Sequence, residues 1–168
     1  TFNELSGYPE GDDSDIRLLA ETGTNLVRCP AWYARGVMSG AVIHSFNKYA
    51  DLGVNMCLGT DTFPMDMFRE MRHGAILGKA ADRNRKKPGA GDVFNAATVN
   101  GAKALGRTDL GRICSGAKAD IITIDTNKLE LALNDDPVKT LVYMANQSDV
   151  DKVIIDGDLV VDDGEITK

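Results

Sequence analysis

The chain has 168 residues, 43% of them hydrophobic, which suits one globular domain or a domain and a half. Its 19 basic and 25 acidic residues give a net charge of −6, which argues against a nucleic-acid-binding surface. The sequence predicts neither a signal peptide nor a membrane-spanning stretch, and the three widely spaced cysteines fit reduced thiols, so we expect a cytoplasmic protein with no membrane contact.

The first 106 residues alternate between helical patterns and short buried strands. A polar loop over residues 1–13 comes first. The predicted helices start at Asp13 or Ser14 and end at Gly23, and then cover residues 39–52, 65–83 and 92–104. The predicted strands are Leu26–Cys29, which Pro30 stops, and Val54–Gly59. We predict a loop for residues 31–40.

From residue 107 the pattern changes to that of a small antiparallel β domain. Residues 119–125 form a hydrophobic strand, and residues 141–145 favour either a strand or a short helix. Three short strands follow at residues 153–155, 159–161 and 165–166. The Asp-Gly pairs between them are typical of tight hairpin turns.

Asp61 is the first candidate for chemistry. It directly follows the buried strand Val54–Gly59, and Phe63-Pro64 prevents that strand from continuing. Barrels of alternating strands and helices carry their catalytic groups at this end of their strands. The alternative is an aspartate that caps the following helix.

Four segments of the chain carry a family resemblance in one consistent order. They are residues 19–30, 53–61, 97–106 and 110–121. In turn they resemble the penultimate strand, the last strand, the closing helix and the return into the small β domain of the amidohydrolase superfamily. The match is to its cytosine deaminase and triazine hydrolase (chlorohydrolase-like) branch.

The resemblance implies an α/β fold. Residues 1–106 would be the C-terminal part of a TIM (β/α)8 barrel, and residues 107–168 part of a small β-sandwich domain. The two N-terminal histidines of the family, its later histidines and its catalytic glutamate are absent from the chain. We therefore expect a fragment or processed product that needs the missing N-terminal part of the barrel as a partner, is inactive alone, and forms a homo-oligomer when complete.

The function implied is that of a metal-dependent hydrolase acting on C–N bonds of a cyclic nitrogen compound, in particular a heterocycle deaminase. Asp61 would be both metal ligand and catalytic base. Zinc is the expected metal, with iron as the alternative, and the other ligands would come from outside this chain. Two other interpretations stay open: a non-catalytic remnant that folds only with a partner, and a cyclic amidase like dihydroorotase or hydantoinase.

The residues predicted to bind the heterocyclic substrate are Trp32, Tyr33 and Met65. The two aromatic rings could equally pack their loop onto the barrel. Arg28 stands where the family often has histidine, which puts any substrate borrowed from the family in doubt. His44 and His73 lie on predicted helices, and we interpret both as packing or surface residues.

Overall fold

A computed structural model describes residues 13–36, 45–132 and 135–167, which form a mixed α/β structure. It contains a two-stranded parallel sheet and a four-stranded antiparallel sheet. Three predicted features lie outside the described residues: residues 1–12 of the loop predicted at 1–13, the first part of the helix predicted at 39–52, and His44.

The elements before residue 107 follow the predicted alternation of helices and strands. They are α1 (Asp13–Glu21), β1 (Asn25–Arg28), α2 (Pro30–Gly36), α3 (Phe46–Asp51), β2 (Asn55–Leu58), α4 (Met67–Ala81), α5 (Ala90–Ala97) and α6 (Val99–Ala104). Strands β1 and β2 pair in parallel, with Asn25 beside Asn55 and Arg28 beside Leu58. Both strands predicted in this part of the chain are confirmed.

Helix α2 occupies residues that we predicted to be a loop, so that prediction was wrong for residues 31–36. Pro30 suits the first position of a helix because the N–H that it lacks would have no helical partner there. The backbone N–H groups of Trp32 and Tyr33 both donate to the Cys29 carbonyl, at 3.1 and 3.2 Å. These contacts turn the chain into a helix directly after β1.

Other helix boundaries also differ from the prediction. Helix α3 begins only after Ser45, whose side chain accepts the Lys48 N–H and caps the helix. The helix expected from residue 92 begins at Ala90, because the Asp92 carboxylate accepts the Gly89 N–H at 2.8 Å. That helix is also interrupted at Thr98, whose ψ of −94° separates α5 from α6.

The described elements after residue 107 form a meander with one α-helix and two short 3-10 helices, Leu129–Leu131 and Gln147–Asp149. The others are β3 (Ile121–Ile124), α7 (Pro137–Tyr143), β4 (Val150–Ile155), β5 (Asp158–Asp162) and β6 (Glu165–Ile166). The sheet order β3-β4-β5-β6 is antiparallel throughout. Asp156-Gly157 and Asp163-Gly164 have positive φ values of 51° and 90°, and of 49° and 75°, as the predicted hairpin turns require.

One hydrophobic core joins the parallel strands to the helices. Ile16, Val93 and Val142 are fully buried in this core. Met56 of β2 is buried in it as well. Helix α7 packs on α4 and α5, so the core contains residues from both sides of residue 107. The division into domains 1–106 and 107–168 stays a prediction.

Candidate active site

The parallel pairing of β1 and β2 places the segments that follow them side by side. The Gly59 N–H donates to the Arg28 carbonyl at 2.8 Å, which extends the pairing past the end of β2. The carboxyl ends of both strands therefore lie at one edge of the sheet. Helix α2 leaves from the first strand at this edge, and Asp61 follows the second.

Asp61 lies exposed at this edge in a left-handed backbone conformation, with φ of 44°. Its carboxylate has no hydrogen-bond or ion-pair partner among the residues that the structure describes. Asp61 does not cap the next helix, because Asp66 does so by accepting the Arg69 N–H at 3.2 Å. The capping alternative considered for Asp61 is therefore excluded, and Asp61 is left accessible.

The aromatic pair on α2 divides into one half-buried and one buried ring. Trp32 and Tyr33 contact each other edge to face, with ring centroids 5.4 Å apart. Tyr33 is buried and lines a small pocket of about 20 Å³ with Arg28, Phe46 and Gly74. Burial raises the pKa of Tyr33. The Tyr33 ring thus packs against the helical layer, which leaves Trp32 as the more accessible of the two.

The loop that follows Asp61 presents two apolar side chains to solvent. Met65 is 69% exposed, and Phe63, which we had not predicted as a site residue, is 75% exposed. Singly exposed apolar side chains are common on protein surfaces, but these two flank an accessible carboxylate in sequence and are therefore candidates for ligand contact. Their position directly after a strand end could have suggested Phe63 from the sequence.

Cys29 lies at the same edge and is buried. Burial, reinforced by the charges of Asp61 and Glu70, raises the pKa of its thiol to about 11. A thiol with that pKa is protonated at neutral pH and is a poor nucleophile or metal ligand.

Glu70 is a buried residue of this region that our reading of the sequence missed. It is 1% exposed, and its Oε2 accepts the Ala31 N–H at 2.8 Å. Its Oε1 is buried and has no hydrogen-bond partner within the described part of the chain. Burial raises the pKa of Glu70 to about 7. Its place on the buried stripe of α4, next to Met71, was the available signal.

The side chains of Arg28 and His73 are both engaged in contacts with the helices. Arg28 is buried against the helices, where burial lowers its pKa to about 10. It lines the same small pocket as Tyr33, on the helical side of β1. His73 Nδ1 is 2.9 Å from the Arg69 carbonyl one helical turn earlier. Both arrangements fit packing roles.

The described residues do not form a complete metal centre. No group of three or more His, Cys, Asp and Glu side chains among them could hold a metal ion. The Asp61 carboxylate, accessible and free of hydrogen bonds in this part of the chain, fits the role of one ligand in a larger set. In the described part of the chain, no helix combines the length and the apolar character that crossing a membrane requires.

Residues 3–160 match the Amidohydrolase family. The 5-methylthioadenosine/S-adenosylhomocysteine deaminase of Acetivibrio thermocellus is 37% identical over 159 residues, which cover 92% of the chain and 36% of that enzyme. An adenosine deaminase from Xanthomonas campestris with bound zinc has a TM-score of 0.87 at 29% identity, covering 95% of the chain and 37% of that protein.

A third similar protein supports the fold alone. Atrazine chlorohydrolase from Arthrobacter aurescens, complexed with zinc, has a TM-score of 0.78 at 21% identity over 94% of the chain and 36% of that protein. In all three cases the chain spans little more than a third of the similar protein.

Proposed function

The chain belongs to the amidohydrolase family, and we propose that the protein of which it forms part is a zinc-dependent deaminase of an adenine nucleoside. The reaction would replace an exocyclic amino group with oxygen from water and release ammonia. The observation that carries the proposal is the accessible, unengaged carboxylate of Asp61 at the carboxyl end of β2. The 37% identity to a deaminase over 92% of the chain supports this substrate class.

The parallel pair β1–β2 would be the last two strands of an eight-stranded barrel. Strands of such a barrel are parallel, each is followed by a helix, and catalytic groups lie at their carboxyl ends. The pairing of Arg28 with Leu58 and the position of Asp61 agree with that arrangement. The antiparallel strands β3–β6 would then belong to the small β domain.

Asp61 would act both as a metal ligand and as a base. Zinc, when bound, supplies Lewis-acid activation of a water molecule. The Asp61 carboxylate would hold the water in position, accept its proton at Oδ during attack on the ring carbon, and return a proton to the departing amino nitrogen. One carboxylate is too few for a catalytic zinc site, so the remaining ligands would come from the rest of the protein.

The substrate ring would contact apolar side chains around Asp61. Trp32, half-buried on α2, and Met65, 69% exposed, are our candidates for direct contact. Tyr33, which we also predicted to bind substrate, would not contact the substrate itself. It would instead hold the Trp32 ring in place through their edge-to-face contact. Phe63, which is 75% exposed, would extend this apolar surface.

The rest of the protein would also complete the packing of this chain. An apolar groove of about 610 Å³ lies between α4, α5 and β3, and its lining includes Phe68, Phe94 and Ile122. Segments from the rest of the protein would fill it and pair with β1, which among the described residues pairs only with β2. A cytoplasmic location and a homo-oligomeric assembly stay predictions.

The test is to express the full-length protein and assay it with two groups of substrates. S-adenosylhomocysteine and 5′-methylthioadenosine represent the adenine nucleosides, while hydantoin and dihydroorotate represent cyclic amides. We expect ammonia release with the purine ring intact from the first group, and no ring opening of the second. Ring opening of a cyclic amide would favour the amidase alternative. No turnover of any substrate by zinc-loaded protein would favour the non-catalytic one.

A further inference from the structure

A side-chain hydrogen bond next to Asp61 in sequence joins the segments that follow β1 and β2. Arg35 Nη1, on the last turn of α2, donates to Thr62 Oγ1 at 2.8 Å. Thr62 is the residue directly after Asp61. The contact therefore connects α2 to the backbone that carries the candidate metal ligand.

The backbone of Asp61 needs such support. Its φ of 44° lies in the left-handed region, which costs free energy for a residue with a side chain. Residues held there depend on the surrounding structure to fix them. The Asp61 carboxylate has no hydrogen bond of its own within the described residues, so its direction depends on its backbone and on the residues beside it.

Arg35 is carried by a helix that is itself fixed at its start. The Ala31 N–H donates to the buried Glu70 carboxylate, and the next two N–H groups of α2 donate to the Cys29 carbonyl. Helix α2 is thereby attached to α4, and its first turn is closed directly after β1. A guanidinium at the end of an anchored helix is a suitable group to fix a loop, because its planar N–H donors have a defined direction.

We propose that Arg35 is a positioning residue: through Thr62 it holds Asp61 in the orientation in which the carboxylate binds metal. The inference rests on the proposed function, since it concerns Asp61 as a ligand. Groups that orient a metal ligand without touching the metal commonly change metal affinity or activity by about 10- to 100-fold when removed. Neither Arg35 nor Thr62 has another assigned role.

The test uses the full-length protein with four variants. Thr62→Val keeps the side-chain shape and removes the hydroxyl, whereas Thr62→Ser keeps the hydroxyl. Arg35→Met keeps most of the length and removes the donor, and the double variant Arg35→Met/Thr62→Val completes a mutant cycle. For each protein, zinc affinity is measured in a chelator-buffered titration, together with kcat and KM for S-adenosylhomocysteine.

We expect Thr62→Val and Arg35→Met each to weaken zinc binding and to lower kcat by about tenfold or more. KM should stay within about twofold, Thr62→Ser should retain parental values, and the double variant should be no worse than either single one. A Thr62→Val protein with parental zinc affinity and kcat would overturn the inference. So would losses that multiply in the double variant, or a Thr62→Ser protein as impaired as Thr62→Val.

Failure of the proposed function gives a different result. In that case the parental protein itself releases no ammonia from adenine nucleosides, whatever the variants do. If it still binds zinc, the affinity measurements alone decide the role of Arg35. A parental protein that binds no zinc contradicts both proposals.

Discussion

The buried Glu70 carboxylate accepts the Ala31 backbone N–H at 2.8 Å and so ties helix α4 to the start of α2. The ionisable side chain of Glu70 is almost completely removed from solvent. The hydrogen bond to Ala31 fixes the start of the helix that carries Trp32 and Arg35. The same burial makes Glu70 a source of pH-dependent stability.

Glu70→Gln should flatten the dependence of stability on pH. Burial raises the pKa of Glu70 from 4.5 to about 7, so between these values the folded protein binds more protons than the unfolded chain. Stability contributed by this group is therefore present below about pH 4.5 and is lost as pH rises to about 7, by about 3 kcal/mol at most. Glutamine keeps an acceptor for the Ala31 N–H but does not titrate.

The measurement is urea unfolding of the full-length protein at pH 5, 6, 7 and 8. The free energy of unfolding of the parent should fall more steeply with pH than that of Glu70→Gln. Glu130→Gln, at an exposed position, is the matched control and should follow the parent. Parallel curves for the parent and Glu70→Gln would show that Glu70 does not titrate differently on folding.

Gly78→Ala and Gly91→Ala should change stability in opposite directions. A Cβ at Gly78 would lie 2.7 Å from Cδ and Cγ of Pro88, so we expect a loss of about 1–3 kcal/mol from overpacking. A Cβ at Gly91 meets nothing within 4 Å, and alanine is the better helix former by up to about 1 kcal/mol. Thermal unfolding of both full-length variants checks the pair. Equal effects would contradict the tight approach of α4 to Pro88.

Trp32→Ala should change substrate preference more than zinc content. The ratio of kcat/KM for S-adenosylhomocysteine to that for 5′-methylthioadenosine is the measurement, because Trp32 is accessible and is not proposed as a ligand. Loss of zinc from Trp32→Ala would show that the helix carrying Trp32 has a structural role at the site.

Tyr33→Ala should instead lower the free energy of unfolding, by about 3 kcal/mol or more, because its ring is buried. Tyr33→Phe, which keeps the ring, is the control.

Much of the fold follows from local sequence patterns. The strands β1 and β2, the two Asp-Gly hairpins and the position of Asp61 at a strand end were all predictable, because each depends on neighbouring residues. Helix α2 was not, because its start depends on a carboxylate 39 residues away in α4. Charged residues are rarely buried, so a glutamate on the apolar stripe of α4 gave a weak signal for its own burial.

The candidate site was predictable only in part, for a related reason. The sequence pointed to Asp61, but the Arg35–Thr62 hydrogen bond depends on how two separate segments meet. The division of roles between Trp32 and Tyr33 depends on which ring faces the helical layer. Spacing along the chain does not contain that information.

Asp61→Asn in the full-length protein tests most directly whether this carboxylate is ligand and base. We measure zinc content and ammonia release from S-adenosylhomocysteine, with Asp66→Asn as the matched control, since asparagine also caps helices well. Asp61→Asn should lose its bound zinc, because an amide is a poor ligand. Its kcat should fall by at least about 100-fold, because an amide also accepts no proton. Asp66→Asn should retain both. Turnover by Asp61→Asn within several-fold of the parent, with zinc retained, would contradict the assignment of Asp61.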